Sequence, residues 1–545
     1  MMHRLRNLGG LFALFALLLA VPVTAADHLR DLQTAAIQDK KADWGHWGPN
    51  PDKYSSWTSH SNRLIPLYSF GMDLSSCRGE HSVYRDREKL EKLYGYLPEG
   101  TLNPKAEYFD QTDVYRLQKL AADKGKKCIV LFVFDGMDWQ TTWAAAIAKS
   151  GKVGYREGRG TGLHFQDYRG APTDFGFFVT SPHDEGTTTD VNKQRVVTPG
   201  SLRGGYDPQS IGSTPWDAIT DAEYPIGKGS KFKHAYTDSA SSATSLTCGI
   251  KTYNDSINVD PFGRQVEPIS HKLQQAGYAV GAVTSVPISH ATPACAYAHN
   301  VHRDDYQDLT RDLLGLPSIA HPGTPLPGLD VLLGAGWGEA KDKDGPQGEN
   351  FVAGNRYLAA KDLEAIDVQH GGKYQVALRT TGKTGTEVLA SGAKSAIQNH
   401  RRLFGYFGVK GGHLPFQTAD GKFDPTLSAG QTPAAEVYKP EDISENPRLA
   451  QMAVAALDVL SSRSDKIWLM VEAGDVDWAN HANNLDNSIG ATLSGDQAFH
   501  AVTQWIEKHT GWKDSVVLLT ADHGHYLVLD KPEALVSPSP PKSAK

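Results

Sequence analysis

The sequence predicts an α/β fold: a doubly wound, mostly parallel central sheet with helices on both faces, interrupted by long insertions. Three observations predict it. Wholly apolar runs of strand length recur along the chain, as expected of strands buried on both faces. Each run ends on carboxylate, hydroxyl or imidazole side chains, and the carboxyl edge is where an open parallel sheet gathers its functional groups. Stretches with apolar residues at helical spacing separate the later runs, which completes a strand, helix, strand alternation. The 545 residues could form several domains, yet the ligand-bearing segments span Asp135 to His523 in one order and must converge, so one large domain is expected.

The first run, Cys128–Phe134, delivers Asp135 and then turns at Gly136. The segment Tyr236-Thr237-Asp238-Ser239-Ala240-Ser241-Ser242-Ala243-Thr244 places a serine where a small-residue helix begins. There the unpaired N–H groups and the positive end of the helix dipole favour a transferring phosphoryl group. Ser239 is therefore the candidate nucleophile. The G-x-S-x-G elbow of acyl hydrolases is lacking. The second run, residues 283–294, ends on His290 and Thr292, with His299 and Arg303 beyond it. A short strand is expected at residues 330–336.

Before the third run, Asn446 and Pro447 are read as the cap of a helix whose apolar face carries Leu449, Met452, Ala453, Ala456, Leu457 and Leu460. The run at residues 468–471 delivers Glu472, and Asp477 and His481, four apart, share a helical face able to bind one ion. Residues 496–512 read as a helix through Phe499, Val502 and Ile506. The last run, Ser515–Thr520, ends on Asp522-His523, with His525 two residues on.

Together with Gly249-Ile250-Lys251-Thr252-Tyr253-Asn254, the Ser239 segment closely resembles the nucleophile signature of alkaline phosphatases, and the other ligand-bearing segments resemble the metal-binding motifs of that family. The resemblance implies an alkaline-phosphatase-like fold and hydrolysis of phosphate monoesters to an alcohol and inorganic phosphate through a phosphoserine. It implies two Zn²⁺ and one Mg²⁺. Asp477 and His481 are assigned to the first zinc, Asp522 and His523 to the second zinc beside Ser239, and Thr292 and Glu472 to magnesium, with Asp135 bridging zinc and magnesium. Arg303 is assigned to the substrate phosphate, a task suited to a planar, permanently charged fork. The donor types agree with these ions, though they leave manganese, iron and calcium open. An alkaline pH optimum is implied.

The sequence departs from the family pattern in two respects. His290 and Trp478 stand where the best-known bacterial pattern has Asp and Lys, which alters the outer shell around magnesium and phosphate. The family also supplies a third ligand of the first zinc from a histidine well downstream, whereas only His525 follows His523 here. His525 takes that role, or an earlier histidine such as His413 does, or fewer groups hold the zinc. The alternatives to a monoesterase are a phosphodiesterase or sulfatase of the same superfamily, and a non-catalytic metal- or phosphate-binding relative. Ser239 with Arg303 favours the monoester, and no modifiable sulfatase motif is present.

Residues 1–26 carry Arg4 and Arg6, an apolar run too short to span a bilayer, and a small-residue end, which reads as a signal peptide and a periplasmic or secreted enzyme. Its removal moves the net charge from −7 to −9, which argues against a nucleic-acid scaffold, and basic residues are scattered, so phosphate capture must be local. Residues 27–127 read as an N-terminal extension of unassigned role, and residues 128–545 as the catalytic domain with insertions at about 151–229 and 318–441. The second insertion reads as irregular and polar after its first strand. A homodimer is implied by analogy. Secretion permits disulfides among Cys77, Cys128, Cys248 and Cys295, of which Cys77–Cys128 is the suggested pair, while buried free thiols fit equally well.

Overall fold

The computed structural model describes residues 27–227, 234–430 and 435–537, so the expected signal peptide lies outside the described residues. A sheet of ten strands organises the chain. In sequence order these are β1 (Ile65–Phe70), β2 (Phe109–Asp110), β3 (Cys128–Phe134), β4 (Thr173–Val179), β5 (Ala279–Pro287), β6 (Val331–Ala335), β7 (Tyr374–Leu378), β8 (Arg402–Tyr406), β9 (Ile467–Ala473) and β10 (Ser515–Thr520). Their spatial order is β7-β8-β6-β5-β9-β3-β10-β1-β4-β2. The seven strands from β7 to β10 are parallel, whereas β1 runs antiparallel to both β10 and β4.

Register brings the functional edge together. Thr284 of β5 lies opposite Glu472 of β9, Glu472 opposite Val133 of β3, and Val133 opposite Thr520 of β10. The residues that follow, Asp135 and Asp522, are thereby carried to the same edge. All of β3, β5, β9 and β10 is buried, which explains why these strands read as unbroken apolar runs.

Two helical layers cover the sheet. One contains α1 (Trp139–Ser150), a helix at Leu449–Arg463 and a long helix at Leu485–His509, which pack on one another and on the central strands. The other contains Thr112–Asp123, α2 (Ser239–Cys248) and α3 (Ala291–Cys295). Two helix limits differ from expectation. Arg448, not Asn446, is the N-cap residue of the Leu449–Arg463 helix, because the Asn446 side chain is engaged with Gly408 N and Asp442 O. The helix expected at 496–512 starts at Leu485, where the Asn484 side chain accepts from Asn487 N, and it ends at His509.

The segments flanking the expected catalytic core are woven into it. Residues 27–127 supply β1 and β2, and their short strand Gly45–Trp47 pairs antiparallel with Leu527–Leu529. Residues 151–229 supply β4. The region read as irregular after residue 336 instead contributes β7, β8 and a helix at Gly385–Gln398, which extend the parallel block. The edge strand β7 is buried only at Tyr374 and Ala377, and its mixed composition hides it from a search for apolar runs. All four cysteines are free and buried, so the suggested Cys77–Cys128 pair is not formed. Burial pushes the thiols of Cys128 and Cys295 up to about 12.

Candidate active site

The nucleophile candidate is placed by a cap. Asp238, the N-cap of α2, is extended (φ −98°, ψ 176°) and its carboxylate accepts from Ser241 N at 2.9 Å, which starts the helix at Ser239. Ser239 Oγ lies 3.2 Å from His523 Nε2 and 3.4 Å from Asp135 Oδ1. The other oxygen of Asp238 accepts from Arg303 Nη1 at 2.9 Å and from Asp255 N at 3.0 Å. Arg303 is thus held beside the serine by the residue that caps its helix. Burial opposes the charge on Arg303, but Asp238, Tyr306 and Asp255 outweigh it and raise the guanidinium pKa above its usual value. Burial would likewise raise Asp238, and Arg303 more than offsets it.

Asp135 follows β3, and Asp522 and His523 follow β10. Asp522 Oδ1 accepts from Gly136 N at 3.1 Å and from His523 N at 3.0 Å, and Asp522 Oδ2 accepts from Ser242 Oγ at 3.2 Å. His523 Nε2 is 3.1 Å from Asp135 Oδ1. Asp135, Asp522 and His523 form one cluster with metal-ligand spacing. Burial, then Asp477 and Glu472, push the Asp135 carboxyl well above its ordinary range. Burial and Asp135 do the same to Asp522. A divalent cation relieves such repulsion between buried carboxylates.

The expected magnesium ligands meet nearby. Glu472 is the penultimate residue of β9, and one of its oxygens accepts from Thr284 Oγ1. Burial pushes Glu472 up to about 8 against the hydrogen bond from Thr284. Asp135 Oδ2, Glu472 Oε1 and Thr292 Oγ1 are all buried and have no hydrogen-bond partner among the described residues. Three orphaned oxygens from two carboxylates and a hydroxyl match a hard, oxygen-seeking cation.

The second group gathers around Asp477. The helix Asp475–His481 carries Asp477 and His481 on one side, as the four-residue spacing predicts. Asp477 Oδ1 lies 2.7 Å from His525 Nε2 and 3.5 Å from His481 Nε2. His525 reaches this point from an irregular turn, residues 521–526, between Ser515–Thr520 and Leu527–Leu529. Gly136 makes the approach feasible, since at φ +72° a Cβ there would stand 2.8 Å from the His525 ring. His413 is not among these groups. Its Nε2 meets Glu436 at 3.0 Å and its Nδ1 donates to Leu414 O at 2.6 Å.

A residue absent from the sequence-based set stands at the centre of this group. His60 Nε2 is 3.0 Å from His481 Nε2 and 3.5 Å from Asp477 Oδ1, and His60, Asp477, His523 and His525 form a cluster with metal-ligand spacing. The available signal was a histidine just ahead of the apolar run Ile65–Phe70. Because that strand is antiparallel, its amino end lies at the carboxyl edge of the parallel block. Burial lowers the pKa of both His60 and His481, which favours neutral rings.

These groups open into a cleft of about 500 Å³ that Ser239, Arg303, Asp255, His290 and Trp478 help to line. His290 and Trp478 pack edge to face at 5.7 Å. Burial and Arg303 lower the His290 pKa to about 3.

The family model for alkaline phosphatase matches residues 224–534. The chain belongs to the alkaline phosphatase family. The matched residues include Ser239, Arg303 and the ligand candidates from Thr292 to His525, and they leave out His60 and Asp135. Alkaline phosphatase 4 of Bacillus subtilis (strain 168) is 27% identical over 288 residues, which cover 53% of this chain and 49% of that protein. The tissue-nonspecific isozyme of Gallus gallus is 26% identical over 465 residues, covering 82% and 70%. The match thus spans about half the length of the Bacillus relative. Among solved structures, the alkaline phosphatase of Thermus thermophilus aligns over 73% of this chain and 60% of its own, with 20% identity and a TM-score of 0.44. Membership implies the use of divalent metals.

Proposed function

We propose that this chain hydrolyses phosphate monoesters through a phosphoserine at Ser239, with Asp477, His481 and His525 serving one zinc, Asp522 and His523 a second, Thr292 and Glu472 a magnesium, and Asp135 bridging. The observation that carries the reading is the placement of Ser239 at a helix N-terminus, 3.2 Å from His523 and beside an arginine held by its own N-cap. When bound, the metals supply charge stabilisation and lower the pKa of the hydroxyl and water that attack phosphorus. The donor sets fit them, because buried oxygens of Asp135, Thr292 and Glu472 lack hydrogen-bond partners among the described residues and the imidazoles of His481 and His525 meet Asp477.

The residues divide the work. Ser239 Oγ forms the new bond to phosphorus as the ester oxygen departs, and its hydroxyl is aligned toward Asp135 Oδ1. The guanidinium of Arg303 offers paired donors to the equatorial phosphoryl oxygens, and Asp238 keeps it from swinging away. The first backbone N–H groups of α2 add fixed dipoles at the same place. Water then cleaves the phosphoserine, releasing inorganic phosphate and restoring the serine. A strongly charged guanidinium beside the nucleophile suits the dianionic monoester better than a diester.

An extracytoplasmic site of action agrees with the signal-like residues 1–26, and no helix among the described residues is long and apolar enough to cross a membrane. The deciding measurement is phosphate release from an aryl phosphate monoester and from the matching diester, by protein loaded with Zn²⁺ and Mg²⁺. Fast monoester turnover that falls at least about 10³-fold in Ser239→Ala supports the reading. A preference for the diester, or turnover indifferent to the substitution, overturns it.

A further inference from the structure

We propose that His60 is a protein ligand of the Asp477/His481/His525 metal site, so that the segment preceding the parallel sheet supplies the donor that the family otherwise supplies from downstream. The inference rests on the metal-dependent reading of the site and goes beyond it, since His60 lies outside the family match.

The hydrogen bonds around the imidazoles carry it. His60 Nδ1 faces Thr237 O at 3.0 Å, and His481 Nδ1 faces Thr58 O at 2.6 Å. A carbonyl oxygen only accepts, so each Nδ1 bears the proton and each neutral ring turns a lone pair outward at Nε2. Those two lone pairs point to one place: the nitrogens are 3.0 Å apart, and Asp477 Oδ1 is 3.5 Å from each. Imidazole nitrogens gathered at that separation around a carboxylate form a donor set for a cation. With His525 Nε2 at 2.7 Å from the same carboxylate oxygen, the donors are three imidazoles and one carboxylate, a set that suits Zn²⁺.

The backbone delivers His60 rigidly. Ser61 N donates to Gly524 O at 2.8 Å and Ser61 Oγ donates to His525 O at 2.7 Å, so the residue after one imidazole is clamped to the residues bearing the other. Arg63 ties the same segment to Asp138 at 2.9 Å and to Leu527 O at 2.6 Å. The Nδ1 bonds to Thr237 and Thr58 are the outer-shell contacts that fix ring tautomer and orientation in imidazole–metal sites.

The test uses full-length protein stripped by chelation and titrated with Zn²⁺ against a chromophoric chelator, then with Co²⁺ followed by its visible absorption. Wild type is expected to hold two transition ions tightly. His60→Ala is expected to bind one of them at least about 10-fold more weakly, to show an altered Co²⁺ band, and to regain the ion when imidazole is added. Unchanged affinity, stoichiometry and Co²⁺ spectrum in His60→Ala would overturn the proposal. If the alanine variant melts lower without metal, His60→Gln, which still donates to Thr237 O, is titrated instead, and rescue by imidazole separates a ligand from a scaffold. These readouts do not depend on turnover. Wild type that binds two ions and releases no phosphate, with one ion weakened in His60→Ala, supports the ligand and overturns the function.

Discussion

The two halves of the site are built in different ways. The half around Ser239 hangs from the carboxyl ends of adjacent parallel strands: Asp135 follows β3, Asp522 and His523 follow β10, and all three are fully buried. The half around Asp477 draws two candidate ligands from a short helix after β9 and the rest from irregular segments. Of these, Ser61 and His525 are 464 residues apart in sequence and are joined by a hydrogen bond. The first half is a property of strand register, settled by local apolar runs. The second exists only where two distant stretches of chain pair.

The sharpest way to break this contrast is Asp522→Ala. It removes the acceptor of Gly136 N, His523 N and Ser242 Oγ together with a metal donor, and should cost activity by about 10³-fold, the equivalent of several kcal/mol. Metal analysis should show one ion lost while the Asp477 group keeps its own. Loss of both ions would mean that the halves are one cooperative unit.

Arg303→Ala is expected to lower kcat/KM for the monoester by about 10²-fold with metal content unchanged. Diester turnover should suffer less, and an equal loss on both substrates would show that the arginine does not read the phosphoryl charge. Gly136→Ala probes the joint between the halves. At φ +72°, with the His525 ring 2.8 Å from the new Cβ, it should destabilise the fold by about 1–3 kcal/mol and weaken metal binding at the Asp477 group more than beside Ser239. Denaturant unfolding and chelator competition read the two effects separately.

The smallest effect on activity is sought away from both halves. Burial pushes the Asp113 carboxyl up to about 7, with Arg116 opposing the shift. A carboxyl raised above its unfolded value near 4 stabilises the fold fully below that value, and this contribution is lost as pH rises through about 7. Asp113→Asn does not titrate, so its stability relative to wild type should improve from pH 5 to pH 8 by roughly 1–4 kcal/mol in urea unfolding. Phosphate release should be unaltered. A constant difference across that range would show that Asp113 is charged throughout.

Legibility in the sequence followed the same division. The strands Cys128–Phe134 and Ser515–Thr520 announce themselves because burial on both faces permits only apolar residues, and the side chains that follow stand out by contrast. The pair Asp477/His481 was legible because helical spacing is a local rule. His60 was not, because its strand-adjacent position acquires meaning only once β1 is known to run against its neighbours. The edge strand β7 escaped notice for a related reason, since a half-exposed strand mixes polar and apolar residues. The helix at Leu485–His509 was recognised only in its second half, since its first turns carry Asp486, Asn487 and Ser488, buried polar residues that an apolar count passes over.

The pairing of Gly45–Trp47 with Leu527–Leu529 gives the chain a birth order. On the ribosome His60 emerges early, while His523 and His525 emerge among the last residues described here. Until those arrive, the early segment has no strand Leu527–Leu529 to pair with and no partner for Ser61, and closing so long a loop is a slow event. The nascent chain therefore brings His60, His481, His523 and His525 together only once the segment through Leu529 has emerged. The cluster around Asp477 is then assembled late, by contacts that span most of the described chain.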